Sequence, residues 1–410
     1  MSKKYLSLVA FALLPFLSFN LFAQSDLEER VKALENKAKI DSQLKFSGYG
    51  QFDYRNIERH DYTESGFPTS QNELRIRRGR LRAEYNTDLL GFAFQLCATQ
   101  TGVTIRDLYI DFKDPLTKFL TLRAGNFRVA MGHEILQSTP AMLSVERSRV
   151  TNTMIPGDRD IAAMLIIQAP KDHFLNPFRV DLQVVNGAGT TNAYANRKNF
   201  VARLNYTNTF GDLRLGVGAA TYQGGTYQGN SRVFTMESNE FKLNDTISNV
   251  GQYAPRTYYQ CELVTSYKSQ IGLTSLTGEF WAGKQSGTAT SSTSPTVLPT
   301  GDTYIRPFNG FIAQLGHQIL NTGLTVAAKY DIYNPNTKVS GNEIGMEGSN
   351  TSATDLSYAT IGIGLIYEPV RNVRFTLWYN MITNETSDKL ADFNEDRRDN
   401  ILTLRMQVRF

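Results

Sequence analysis

The sequence predicts an all-β fold, a transmembrane antiparallel β-barrel of about sixteen strands, and three observations predict it. Apolar and polar residues alternate in segment after segment from Leu44 to Phe410. The connections between these segments are short and long in turn. Beyond Ala23 no uncharged apolar run approaches the roughly 20 residues that a spanning helix needs, so any crossing of a membrane falls to strands.

At the amino terminus, Lys3 and Lys4 precede an apolar run from Tyr5 to Phe19, and Leu21-Phe22-Ala23 supplies a small residue at a cleavage point. Residues 1–23 read as a secretory signal peptide, because the run is short for an anchor and contains Pro15. Residues 24–43 carry the one convincing helical pattern of the mature chain. Leu27, Val31, Leu34 and Ala38 recur at heptad-like spacings, a short coiled-coil seam. So short a seam is marginal alone. It is expected as an oligomerising stalk in the periplasm, with a charged linker as the other reading. Residues 44–410 are the expected barrel.

Composition agrees with this layout. The 20 Tyr and 24 Phe against 2 Trp suit strands and interfacial girdles. A formal net charge of +4, which includes Lys3 and Lys4, is too weak to point to nucleic acid. Cys97 and Cys261 fall on different segments, and their spacing suggests neither a disulfide framework nor a metal site. No cofactor is expected.

In chain order the strand segments are Leu44–Asn56, Glu73–Thr87, Gly91–Thr101, Val103–Lys113, Leu120–Arg128, Asp160–Ala169, Phe178–Asn186 and Asn199–Thr207. They continue with Leu213–Tyr222, Thr257–Tyr267, Leu273–Ala282, Gly310–Gln318, Leu324–Tyr333, Tyr358–Tyr367, Val373–Thr383 and Ile401–Phe410. Tight turns such as 87–90, 114–118 and 208–212 alternate with long links such as 57–72, 129–159 and 223–256. Only Gly102 breaks the scheme, as a very tight connection on the long side. Sorting of loops by parity is the mark of a membrane barrel with its long loops outside, in the outer membrane of a Gram-negative bacterium.

The faces then define a lumen. Leu402, Leu404, Met406, Val408 and Phe410 share one face of the last strand, and Thr403, Arg405, Gln407 and Arg409 share the other. An Arg or Lys facing lipid at mid-membrane costs roughly 2–4 kcal/mol, so the polar faces turn inward. Leu74 and Ile76 are out of phase with Leu81, Ala83 and Tyr85, which predicts a bulge near Arg77-Arg78-Gly79. The inward set contains Arg80, Arg82, Arg123, Arg179, Arg203, Arg214, Lys329, Arg374, Arg405 and Arg409, with the carboxylates Glu84, Asp107, Asp111, Asp181, Glu262, Glu279 and Asp331. Arg75, Arg77, Arg78, Arg80 and Arg82 form the densest basic cluster. Guanidinium groups fit phosphate and carboxylate bidentately, so this strand is the best candidate for an anion path. The plainer reading is a mixed-charge lining in which arginines neutralise carboxylates opposite them.

The third long link, 129–159, carries Ile135, Leu136, Met142, Leu143 and Val145 and is expected to fold inward and narrow the pore. It follows Gly125-Asn126-Phe127-Arg128 and contains Gly132-His133-Glu134, Ser138 and Glu146-Arg147-Ser148-Arg149. This run resembles the loop signature of the phosphate-selective porin O and P family, especially its Bacteroidetes-type members. The resemblance implies an outer-membrane porin for small hydrophilic solutes with a preference for anions, phosphate among them, working as a homotrimer with this loop constricting each lumen. It also implies membrane lipid and the outer-membrane assembly machinery as partners, the latter through the terminal Phe410. Selective members carry arginines and a lysine in the constriction; here the loop offers Arg147 and Arg149, and Lys329 is the clear lumen lysine. The alternative from another class is a hydrolytic enzyme built on a barrel, with His133, Glu134 and Ser138 as its constellation. No signature supports it, and no catalytic residue is expected.

Overall fold

In the computed structural model, which describes residues 30–32, 43–58, 70–191 and 196–410, the strands run as follows. They are β1 (Leu44–Glu58), β2 (Ser70–Asn86), β3 (Leu90–Thr99), β4 (Gly102–Lys113), β5 (Leu120–Arg128), β6 (Arg159–Gln168), β7 (Phe178–Val185), β8 (Asn199–Phe210) and β9 (Leu213–Tyr227). Then come β10 (Arg232–Glu237), β11 (Glu240–Asp245), β12 (Tyr253–Ser269), β13 (Gly272–Gly287), β14 (Thr303–Ile319), β15 (Leu324–Asn334), β16 (Tyr358–Val370), β17 (Val373–Asn384) and β18 (Ile401–Arg409). The predicted signal peptide lies outside the described residues. So does most of the predicted stalk, within which residues 30–32 are helical.

Sixteen of these strands close into one antiparallel barrel. Each pairs with its neighbours in sequence, β9 passes directly to β12, and β18 returns to β1 in a register running from Tyr49 opposite Arg409 to Ile57 opposite Ile401. Closure leaves no unpaired edge, which is what a chain surrounded by hydrocarbon requires. The seam is completed by Phe410, whose backbone exchanges hydrogen bonds of 3.0 and 3.1 Å with Gly48. The remaining pair, β10 and β11, is a hairpin in the link between β9 and β12, where the sequence pattern predicts only loop. Its β10 runs parallel to the first residues of β14.

The alternation works as expected from the sequence. Ile110, Ile363 and Leu404 stand on the outside, about half exposed, while Asp107, Gln183, Thr403 and Arg405 are buried on the inside. Two aromatic sets flank the outer apolar band. Phe46, Phe112, Phe210, Tyr267 and Tyr367 lie towards the short turns, and Phe52, Phe200, Tyr259, Phe280 and Phe311 towards the long loops. Among the described residues no helix is long and apolar enough to cross a membrane. Strands β12, β13 and β14 extend beyond the predicted segments at the long-loop end, where Phe234, Phe241, Tyr304, Val339, Ile344 and Leu356 pack as a separate apolar cluster.

The expected bulge is present. Gln51 faces Arg78 and Phe52 faces Ile76, so Arg77 is the extra residue in β2. Leu74 and Ile76 then point outward on one side of it and Leu81 on the other, repairing the phase.

Candidate functional site

The link between β5 and β6 turns into the barrel and crosses it. It contains two short helices, α1 (His133–Leu136) and α2 (Arg149–Met154). Its apolar residues Met131, Ile135, Val150 and Met154 are fully buried against wall residues Tyr258, Trp281, Ile312 and Tyr333. The motif glycines make this path possible. Gly125 has φ 133°, and a Cβ there would collide with the Leu108 carbonyl. Gly132 has φ 75°, and a Cβ would sit 2.6 Å from the Trp281 ring.

Polar contacts fix the loop to the far wall. Glu134, 1% exposed, accepts from Lys329 Nζ at 2.8 Å, from the Ser148 amide at 3.0 Å and from the Thr151 hydroxyl. Arg374 donates to the carbonyls of Pro140 (2.9 Å) and Met142 (2.8 Å), and Arg405 to that of Val145 (2.6 Å). A buried cation and carboxylate held this way are costly to separate. Glu134 is thus the anchor of the loop. Its carboxylate oxygens are engaged by Lys329, Ser148 and Thr151.

The crossing loop divides the lumen. Against the wall of β2 to β8 it leaves two cavities, of 460 Å³ on the short-turn side and 300 Å³ on the long-loop side. They share Arg80 and Thr139 as lining residues, and the Arg80 guanidinium donates to the Thr139 hydroxyl at 3.3 Å. This contact between wall and loop is the narrow point. The inner cavity is lined by Arg80, Arg82, Arg123, Arg128, Arg179 and Arg203 against Asp107 and Asp181, and the outer by Arg77, Arg78, Arg80, Arg106 and Arg147 against Glu146 and Asp158. On the other side of the loop, a chamber containing Arg149, Lys329 and Asp331 is separated from the short-turn side by Leu143 and Val145 packed on Ala327, Ile366 and Trp378.

The predicted residues take different places in this frame. Arg82 is paired with Asp107 and Glu84, Arg123 bidentately with Asp111 (2.7 and 2.8 Å), Arg147 with Asp158 (2.9 Å) and Arg203 with Glu262. Lys329 is consumed by Glu134, while Arg374 clamps the loop backbone. Arg149 leaves the constriction altogether and stacks 3.8 Å over the Tyr358 ring. Arg214 is exposed near the short-turn rim, outside both arginine-lined cavities. Arg80 differs from all of these. It is 7% exposed, has no carboxylate within 4.0 Å among the described residues, and its Nε lacks a partner.

One arginine outside the predicted set joins the path. Arg128 lines the inner cavity, gives a hydrogen bond to the Leu136 carbonyl, and likewise has no carboxylate within 4.0 Å among the described residues. The bulge turns Arg75, Arg77 and Arg78 inward together with Arg80 and Arg82, though strict alternation would split them between two faces. Glu146 meets this cluster: Arg77 donates at 2.7 Å, Arg405 at 3.1 Å and Arg78 at 3.4 Å. Enclosure disfavours the charge on Glu146, but Arg77, then Arg405 and Arg78, outweigh it and hold the carboxyl well below its usual range. The phase break was the sequence signal for this cluster. Nothing in the sequence marked Glu146 as its partner.

No protein-family model matches the sequence, and no curated protein sequence matches it. Solved structures do match in fold. OprB of Pseudomonas putida is 10% identical with a TM-score of 0.58, over 91% of this chain and 96% of that one. The anion-selective porin of Comamonas acidovorans is 12% identical with a TM-score of 0.52, over 90% and 99%. OmpT, an outer-membrane protein of Vibrio cholerae, in its trimer form is 11% identical with a TM-score of 0.51, over 90% and 99%. The chain therefore has the fold of the outer-membrane porins. With its apolar belt and closed sheet, it belongs in the outer membrane of a Gram-negative cell.

Proposed function

We propose that the chain is a porin, a water-filled channel for passive diffusion of small hydrophilic solutes that prefers anions, phosphate among them. The observation that carries this is the meeting of two arginine-rich cavities at Arg80, a buried guanidinium with no carboxylate partner among the described residues. Rings of Arg and Lys favour anions in pores, and a fixed positive charge at the narrow point acts on every ion that passes. The resemblance of residues 125–149 to the phosphate-selective O and P signature supports the same reading, since its glycines and Glu134 are what dock the loop. A homotrimer is the expected assembly, supported by that resemblance and by a neighbour that occurs as a trimer.

Reversal potentials in planar bilayers under a potassium chloride gradient test this. The expected sign is that of an anion-selective pore, with chloride current blocked by added phosphate. A unit charge about 5 Å from a passing ion in water is worth about 0.8 kcal/mol, roughly a fourfold bias. Arg80→Gln is expected to lower the anion-to-cation permeability ratio by about that factor or more, and Arg214→Gln to leave it nearly unchanged. A reversal potential of cation-selective sign for the wild type overturns the proposal.

A further inference from the structure

Within the outer cavity the guanidinium cluster already holds an anion, and it is the chain's own. Glu146 accepts from Arg77 on both oxygens, lies 3.1 Å from Arg405 and 3.4 Å from Arg78, and is 3.7 Å from Arg75. For Arg77 and Arg78 it is the one carboxylate within 4.0 Å among the described residues. Arg75 and Arg405 also have Asp53, at 3.1 and 2.7 Å, and Arg75 has Glu73 at 3.7 Å.

Asp53 and Glu146 are held in different ways. Asp53 sits on β1 with its side chain fully enclosed (0% exposed), so it neutralises its arginines permanently. Glu146 sits on the crossing loop with 36% of its side chain exposed to the lumen. Water reaches it, so an incoming ion reaches it too. The carboxylate is held by several guanidiniums but stands part-open to the lumen, so an anion of the same geometry and higher charge can compete for its place. The loop does not depend on this contact for its place. Glu134 with Lys329, and the carbonyl bonds from Arg374 and Arg405, hold it independently.

We propose that Glu146 is a tethered competitor for the passing anion: its carboxylate occupies the Arg77–Arg78 site, and a multivalent oxyanion binds there by displacing it. Resting on the anion-path reading, this adds a determinant of specificity. Chloride, with one diffuse charge, passes the occupied cluster; a tetrahedral dianion can present two oxygens to each guanidinium and replace the carboxylate. Glu146 thereby sets how tightly oxyanions are retained, so that they are bound and also released.

The test uses the full chain in planar bilayers, with inorganic phosphate as the probe of chloride current. Glu146→Gln keeps the side-chain shape and removes the charge. Its half-blocking phosphate concentration is expected to fall about five- to tenfold, the scale of losing one part-exposed competitor. Adding Arg77→Gln in that background is expected to cancel the gain, which a merely structural role for Glu146 does not predict. Glu146→Asp draws the carboxylate back by one methylene and is expected to give an intermediate shift, and it carries the comparison if the Gln variant does not insert. Phosphate block unchanged in both Glu146 variants overturns the proposal. An anion-selective wild type with insensitive variants removes this inference alone. A wild type without anion preference whose Glu146→Gln form gains phosphate block removes the anion-selective reading and keeps Glu146 as the competitor.

Discussion

Glu134 and Glu146 belong to the same loop and meet cations on the same barrel, yet burial gives them opposite roles. Glu134 is 1% exposed and has Lys329, Ser148 and Thr151 around it. Removing one member of such a pair leaves the other charged and uncompensated, at a cost of about 3–5 kcal/mol. Glu134→Gln is therefore expected to lower the unfolding free energy from urea titration in lipid vesicles by an amount of that order, with a lower midpoint, whereas Glu134→Gln with Lys329→Met recovers much of the loss. A midpoint within error of the wild type for the single variant would show that the loop is anchored elsewhere. The sequence marked both residues, Glu134 through its motif and Lys329 as a lumen lysine. It did not mark them as partners, because 195 positions separate them and only barrel closure brings them together.

At the scale of elements, what was legible followed from period two. The phase break between Ile76 and Leu81 located the β2 bulge to within two residues, because a slip of one residue would turn apolar side chains inward. The β10–β11 hairpin was not legible. Residues 232–245 lie outside the lipid belt, where no apolar face has to be kept and the alternation is weak. The 129–159 link is expected from its sequence to narrow the pore, and its apolar residues also show how it divides the lumen. Leu143 and Val145 pack on the β15–β17 side against Ala327, Ile366 and Trp378, an apolar contact across the lumen. Leu143→Ala with Val145→Ala is expected to open a second route through the chamber of Lys329 and Asp331. Single-channel conductance should rise, by roughly half again, and anion preference should fall because that lining carries both signs. Conductance and selectivity both unchanged would mean that the apolar contact is not the barrier.

Across the whole molecule, most lumen charges are paired, on adjacent strands as in Arg123 with Asp111 or across one intervening strand as in Arg82 with Asp107 and Arg203 with Glu262. The pairing follows from antiparallel register, which sets residues of adjacent strands side by side on one face and brings those two strands apart within reach of a long arginine side chain. Sequence alone gives the face but not the partner, so an arginine ladder and a neutralised lining could not be told apart there. The structure contains both: paired arginines along the wall, with Arg80 and Arg128 unpaired near the crossing loop. Paired charges act as short-range dipoles, whereas unpaired ones act over the Debye length, roughly 10 Å at 0.1 M salt and 3 Å at 1 M. If selectivity comes from the unpaired guanidiniums, it has to weaken as salt screens them. The anion-to-cation permeability ratio is expected to be several-fold larger in gradients centred near 0.1 M than near 1 M, with Arg80→Gln flattening that dependence. A ratio independent of ionic strength would assign selectivity to the width of the constriction between Arg80 and Thr139 and not to its charge.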